Sequence, residues 1–152
     1  MRMLPKLLPL LFVAAACSSQ GTPTEERTSF KYRHSADEMW RQVTQEAREK
    51  WAIGEADRAS LKIVTEWDVR LHAMNTFGRR HRLIITLEGA DADGYTVVAA
   101  QETEKNTNQE NPLVAAEAEW KPMPSDGALA GRFLFNLHRR LNPPKNWQET
   151  DR

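Results

Sequence analysis

One cysteine and four histidines are the side chains of this 152-residue sequence best suited to covalent or metal chemistry. A lone thiol forms no intramolecular disulfide and no cysteine-based zinc cluster. The histidines show no metal-ligand spacing, and we interpret them as surface residues or residues at the ends of elements. No nucleophile elbow, phosphate-binding glycine loop or H-E-x-x-H motif occurs. The sequence therefore predicts a non-enzymatic protein without cofactor or metal. The histidines are His34, His72, His81 and His138.

Three arginines form a local basic cluster where a predicted strand begins: Arg79, Arg80 and Arg82. Guanidinium groups bind phosphates and carboxylates in bidentate geometry, so this cluster fits a lipid headgroup, a lipopolysaccharide phosphate or an acidic protein partner. The alternative is a solvated strand entrance whose charge is balanced by nearby acids.

An apolar pair marks a second candidate partner surface. Val64 and Ile84 fall on the far face of the predicted sheet if Ile63 and Ile85 point toward the helices, because side chains alternate along a strand. An uncovered apolar stripe is typical of a binding surface. The alternative is coverage by the loop at 113–120.

Five tryptophans are many for a chain of this length. Trp40, Trp51 and Trp67 fall on predicted buried stripes or strand ends, and they are candidates for lining a ligand pocket between helix and sheet. Trp120 and Trp147 lie beside prolines and are better candidates for exposed aromatic contacts, since tryptophan is enriched at binding hot spots.

The elements that position these residues follow from periodicity. Alternation predicts strands at 28–33, 61–67, 82–88 and 95–103. Between the last two, Asp91, Asp93 and Gly94 in the interval 89–94 predict a hairpin connection rather than a calcium site. The segment 68–81 is interpreted as a long excursion, and 104–112 as an exposed loop.

Two amphipathic helices complete the prediction. Ser35 and Glu38 form a capping box for the first helix, which is predicted to end near residue 52 or 53. Asp126 is the predicted N-cap of the second helix, which is predicted to end before Pro143 and Pro144. Their apolar stripes are Trp40, Val43, Ala47 and Trp51, and Leu129, Phe133, Leu137 and Leu141. The predicted class is α+β: one antiparallel sheet of about four strands with both helices on one face, in the order β-α-β-β-β-α.

The charge balance excludes one class of partner. The 21 basic and 21 acidic side chains give a formal net charge of zero, whereas a nucleic-acid-binding domain usually has a marked basic excess. We therefore expect no nucleic-acid partner. Apolar residues make up 40% of the chain, which is typical of one globular domain.

The N-terminus has the layout of a secretory signal. Arg2 and Lys6 precede an apolar run at 7–16, which is too short to span a bilayer and ends in small residues directly before Cys17. This segment resembles the lipobox of bacterial lipoproteins, although Ala14 stands where leucine is preferred. The resemblance implies cleavage before Cys17, acylation of its thiol and, in a Gram-negative host, sorting by Ser18 to the outer membrane, facing the periplasm. The alternative is an ordinary secretory signal with an incidental cysteine.

The domain organisation follows from this interpretation. We predict a signal peptide at 1–16, a lipidated cysteine with a flexible tether at 17–27, a single α+β domain at 28–143 and a C-terminal tail at 144–152. Acyl chains on Cys17, rather than electrostatic attraction, would hold the protein at the membrane.

The first helix and the strand that reads Ile63-Val64-Thr65-Glu66-Trp67 resemble the helix-grip-type domains of bacterial envelope lipoproteins. One such protein is the lipoprotein C subunit of the outer-membrane β-barrel assembly machinery. The resemblance covers 35–88 and implies a non-catalytic accessory role in an envelope assembly. Our leading hypothesis is therefore an anchored lipoprotein that binds another envelope protein, and the alternative is an envelope module that binds a small ligand or lipid. An enzyme would require a cleft with His72 or His81 beside Asp68.

Overall fold

The computed structural model describes residues 21, 23–71 and 78–142. Its centre is a long antiparallel hairpin of β5 (Arg79–Ala90) and β6 (Gly94–Asn106). Gly89 and Gly94 shape the connection, with φ of +141° and +80°. A Cβ on Gly89 would approach the carbonyl oxygen of Gly94 to 2.2 Å, so the chains can close here only around glycine.

Short strands flank the hairpin in pairs. On one side, β3 (Lys62–Thr65) and β4 (Asp68–Arg70) both pair with β5, and β2 (Ile53–Asp57) pairs with β3 at the sheet edge. On the other side, β1 (Thr24–Arg27) and β7 (Trp120–Met123) both pair with β6. All pairings are antiparallel, and the order across the sheet is β1, β6, β5, β3, β2.

Two helices, α1 (Ala36–Arg48) and α2 (Ala128–Leu141), pack on the same face of the sheet. Ser35 caps α1 as expected, because its side chain accepts a hydrogen bond from Glu38 N at 3.3 Å. At the start of α2, Leu129 N donates to the side-chain carbonyl of Gln101 on β6 at 2.9 Å, so the sheet itself satisfies one of the free backbone N–H groups of this helix.

The core lies between this face and the helices. Odd-numbered residues of β5 and β6 point into it, and it meets the apolar stripes of both helices. Burial of these side chains, at roughly 25 cal/mol per Å² of apolar surface, is the main source of stability. The largest fully buried apolar members are Met39, Val43, Ile63, Leu83, Ile85, Val97, Phe133 and Leu137.

An ion pair joins the helices at the edge of the core. Arg140 Nε donates to Glu46 Oε2 at 3.0 Å, and the same guanidinium also pairs with Glu49. The Glu46 side chain is only 4% exposed, so its charge depends on Arg140 for solvation.

The predicted sheet of about four strands in the order β-α-β-β-β-α is wrong. The sheet has seven strands, and the order along the chain is β-α-β-β-β-β-β-β-α, although the α+β class is consistent. The strands predicted at 61–67, 82–88 and 95–103 correspond to β3, β5 and β6. In the strand predicted at 28–33, Tyr32 forms an isolated bridge to Tyr95, and the strand itself lies earlier, at β1.

The missed strands share one physical property. β1, β2, β4 and β7 are short and flank the central strands, and each has largely exposed side chains, so backbone pairing rather than apolar alternation holds them. β4 lies within the predicted excursion at 68–81, and β1 lies within the tether predicted at 17–27. Several predictions lie outside the described residues: the signal peptide predicted at 1–16, lipidation of Cys17, the tail predicted at 144–152, and the interpretations of His72 and Trp147.

Candidate functional site

The sheet face opposite the helices displays a row of paired charges. Even-numbered residues point to this open face, where Arg80 stands opposite Glu104 and Arg82 opposite Glu102 in the β5–β6 register. Arg80 Nε donates to Glu104 Oε2 at 2.7 Å, and Arg82 Nε donates to Glu102 Oε2 at 2.5 Å. Both pairs are partly shielded from water, and the four charges cancel.

Two tryptophans stack on these arginines. The Arg80 guanidinium carbon lies over the rings of both Trp67 and Trp120, 4.4 Å and 4.7 Å from their centroids. Arg82 lies 4.5 Å from the Trp67 centroid. Each such cation–π contact contributes about 0.5–1 kcal/mol at an exposed site and more where water is excluded. We call these six residues the tryptophan-arginine cluster: Trp67, Arg80, Arg82, Glu102, Glu104 and Trp120.

Paired flanking strands place the two tryptophans on either side of Arg80. Trp67 lies between β3 and β4, which both pair with β5, and Trp120 begins β7, opposite Asn106 of β6. Asn106 is fully buried and organises the loop that connects β6 to β7. Its Oδ1 accepts hydrogen bonds from the backbone N–H groups of Asn108 and Glu119, and its Nδ2 donates to the Pro112 carbonyl. The loop therefore returns to the sheet in the one register that stacks Trp120 on Arg80.

A small recess of about 260 Å³ opens beside the cluster, lined by Trp67, Arg82, Glu102, Glu104, Thr103, Pro122 and Gly21. Gly21 lies tightly against the backbone of Met123 in β7, where a Cβ would approach the Met123 carbonyl carbon to 2.7 Å. Gly21, the first described residue, therefore lies beside the cluster. The recess offers carboxylate acceptors, a guanidinium donor and an indole ring, which can recognise a polar group that carries an apolar portion.

His81 lies on the other face and does not join the cluster. Its Nδ1 is 3.0 Å from Thr103 Oγ1. Burial lowers the pKa of His81 below the ordinary value of 6.5, whereas the charge of Asp68, which pairs with His81 from β4, raises this pKa. Thr103 is 6% exposed and its hydroxyl also accepts a hydrogen bond from Gln101 Nε2. This polar chain connects the sheet interior to the start of α2.

The structure separates the predicted ligand-pocket residues. Trp67 belongs to the open face, whereas Trp51 packs edge-on against Phe133 of α2 at 6.2 Å and Trp40 lies under Arg58 at 5.5 Å. Trp40 and Trp51 flank the core on the helix side. The expected pocket lined by Trp40, Trp51 and Trp67 therefore does not form. A groove of about 540 Å³ beside Trp40 follows the outer surface of α1.

The predicted partner-binding residues are partly brought together. Arg80 and Arg82 share the open face, but Arg79 points to the helix side, opposite Lys105. Val64 and Ile84 pair with each other on the open face and are half-buried. Together with Ala100, which pairs with Ile84, they form an apolar continuation of this face on the side toward the hairpin turn. Glu102 and Glu104 were missed by the sequence analysis. Counting back from the predicted turn pairs them with Arg82 and Arg80, so hairpin register was the available signal.

Asp91, in the predicted turn, has structural partners. Its Oδ1 accepts hydrogen bonds from Ala36 N at 2.7 Å and from the Tyr95 hydroxyl at 2.9 Å, which joins the hairpin to the start of α1. Across the described part of the chain, no group of three His, Cys, Asp or Glu side chains could hold a metal ion. Neither described helix has the length and apolar character needed to cross a membrane.

Comparison with known proteins does not assign the chain to a family. No protein-family model matches it, and no curated protein matches it significantly.

Proposed function

We propose that this chain is a membrane-anchored bacterial lipoprotein whose folded domain binds another envelope protein, as an accessory or assembly subunit without catalysis. The lipobox-type segment ending at Cys17 supports the anchor, and the tryptophan-arginine cluster carries the binding function. In a Gram-negative host the domain would face the periplasm from the outer membrane.

The composition of the cluster favours a protein partner. Tryptophan and arginine are the residues most enriched at binding hot spots, where they pair a large contact area with directional hydrogen bonds. Here Arg80 is already held between two rings and by Glu104, so little side-chain freedom remains to be lost on binding. A pre-organised surface of this kind costs less to bind than one made of mobile side chains.

The anchor is tested by Cys17→Ser in the full-length protein. Loss of the acylated thiol should move the protein from the membrane fraction to the soluble fraction, measured by fractionation and by mass spectrometry of the mature N-terminus. Ser18→Ala is the matched control and should stay at the membrane. Tight membrane association of Cys17→Ser would contradict the anchor.

The binding function is tested by purification after brief cross-linking in cells. Arg80→Lys keeps the charge next to Glu104 but removes the planar guanidinium that stacks on both rings. We expect this variant and Trp120→Ala to lose the partner that the native protein captures in near-stoichiometric amount. Arg41→Lys, on the exposed surface of α1, is the matched control. Unchanged capture by both cluster variants would refute this assignment, and a co-purifying lipid or small molecule alone would favour the ligand-binding alternative.

A further inference from the structure

We infer that the partner of the tryptophan-arginine cluster is a membrane-embedded protein, contacted at the height of the lipid headgroups. This inference rests on the proposed function, and it adds where the partner must be. Two features favour this location: the short length of chain between the anchor and the cluster, and the way in which the tryptophan rings are held.

Covalent geometry limits how far the cluster can lie from the anchor. Gly21 lines the recess beside the cluster and lies tightly against Met123, so the path of the chain is defined there. Cys17 precedes Gly21 by four residues, which span at most about 14 Å when fully extended. Acyl chains on Cys17 would therefore keep the recess within about 14 Å of the headgroups. A long flexible tether, which would let the domain reach partners far from the membrane, is excluded by this spacing.

The held rings favour a protein over the bilayer itself at this height. Aromatic side chains that anchor a protein at a membrane interface place their rings at the level of the headgroups. In the cluster, Arg80 and Arg82 lie over Trp67, and Arg80 also lies over Trp120. The carboxylates of Glu102 and Glu104 cancel the arginine charges, so electrostatic attraction to anionic lipid is also lacking. Such a surface matches a rigid protein surface, with the recess accepting one of its side chains.

The test places a photo-crosslinking residue, p-benzoylphenylalanine, at two exposed positions of the full-length lipidated protein in cells. Val69 is 42% exposed and lies opposite Arg80 on the open face. Phe135 is 60% exposed on the outer surface of α2 and is the matched control. We expect position 69, and not position 135, to form an adduct with a protein that mass spectrometry identifies as membrane-embedded. The adduct should disappear when Arg80→Lys is added.

Each other outcome overturns the inference. An adduct at 69 with a soluble envelope protein would leave the proposed binding function intact and refute the membrane location. Adducts with phospholipid alone would assign the cluster to the bilayer. An adduct at 135 alone, or at neither position, would refute the choice of surface. Failure of the anchor is scored separately, by the fractionation of Cys17→Ser.

The height of the cluster is measured independently in vesicles of zwitterionic phospholipid. Because acylation occupies the thiol of Cys17, Val69→Cys and Phe135→Cys each introduce the one thiol available to a fluorophore. Energy transfer to a headgroup acceptor should be stronger from position 69. Inserting about 20 Gly/Ser residues after Ser19, which adds a mean span of about 25 Å, should weaken transfer from 69. Equal transfer from both positions without the insertion would contradict the distance limit.

Discussion

Removing Arg140 should destabilise the domain because it leaves the Glu46 carboxylate buried without its partner. Breaking one side of a buried ion pair costs about 3–5 kcal/mol, whereas an exposed pair contributes about 0–1 kcal/mol. The Glu46 side chain is 4% exposed and that of Arg140 is 22% exposed, so the pair lies close to the buried limit. We expect Arg140→Met to lower the free energy of unfolding by about 3 kcal/mol.

The assay is equilibrium unfolding in urea, followed by tryptophan fluorescence on the Cys17→Ser protein. With a urea dependence of about 1.5 kcal/mol per M, the loss moves the midpoint by about 2 M. Arg132→Met, on the same helix and exposed, is the control and should change the free energy by less than about 0.5 kcal/mol. Adding Glu46→Gln to Arg140→Met removes the buried charge and should restore about 1–2 kcal/mol. If Arg140→Met and Arg132→Met unfold alike, the electrostatic argument is refuted.

Four further predictions concern two glycines, one histidine and one tryptophan. Gly131→Ala should raise the free energy of unfolding, measured in urea, by about 0.5–1 kcal/mol, because alanine favours a helix and nothing lies within 4 Å of the added Cβ at this fourth residue of α2. Gly127→Ala should lower it, since φ there is +68° and the Cβ would meet Thr24. The free energy of unfolding should fall as pH falls through 6.5, because burial gives His81 a lower pKa in the folded protein than in the unfolded chain. In this pH range the unfolded chain binds the proton more readily, which favours unfolding. Urea titrations between about pH 7.5 and 5 should show this loss, and His81→Gln should reduce it. Trp120→Ala should lower stability by about 1 kcal/mol through loss of the Arg80 contact.

Distinct results would contradict the predictions at Gly131, His81 and Trp120. A destabilising Gly131→Ala would mean that α2 packs more closely than described. The folded pKa of His81 depends on Asp68 and Asp126, which raise it, and on Arg70 and Arg79, which lower it along with burial. A native protein with the same pH dependence as His81→Gln would show that these influences cancel. An unchanged midpoint in Trp120→Ala would show that the stacked rings add nothing to folding.

Periodicity in the sequence located the parts of the fold that bury apolar side chains. The helices around Val43 and Phe133 and the strands around Ile63 and Ile85 have clear apolar faces, so their positions could be predicted. The strands at Thr24–Arg27 and Ile53–Asp57 could not, because pairing of their backbones with a neighbouring strand creates them.

The same distinction applies to the candidate site. The arginines at 80 and 82 were recognised as a local cluster because they are close in sequence. Their carboxylate partners at 102 and 104 are distant in the chain and meet them only through the hairpin register. Trp67 was assigned to the interior because aromatic residues at strand ends are usually buried, whereas stacking on guanidinium groups keeps it on the open face.

The inward-facing side chains of the central hairpin change from apolar to polar along its length, and this divides the sheet into two zones of unequal local stability. At its turn end, Leu83 to Leu87 face a packed apolar layer. At its other end, the inward positions are occupied by polar or charged residues, namely Arg79, His81, Thr103 and Lys105. Amide hydrogens of β4 and β7 should therefore exchange with solvent by sub-global opening at a lower free energy than those of β3. Binding of a partner to the tryptophan-arginine cluster would slow hydrogen exchange of the β4 and β7 amides, without requiring a change at the amides that exchange only by global unfolding.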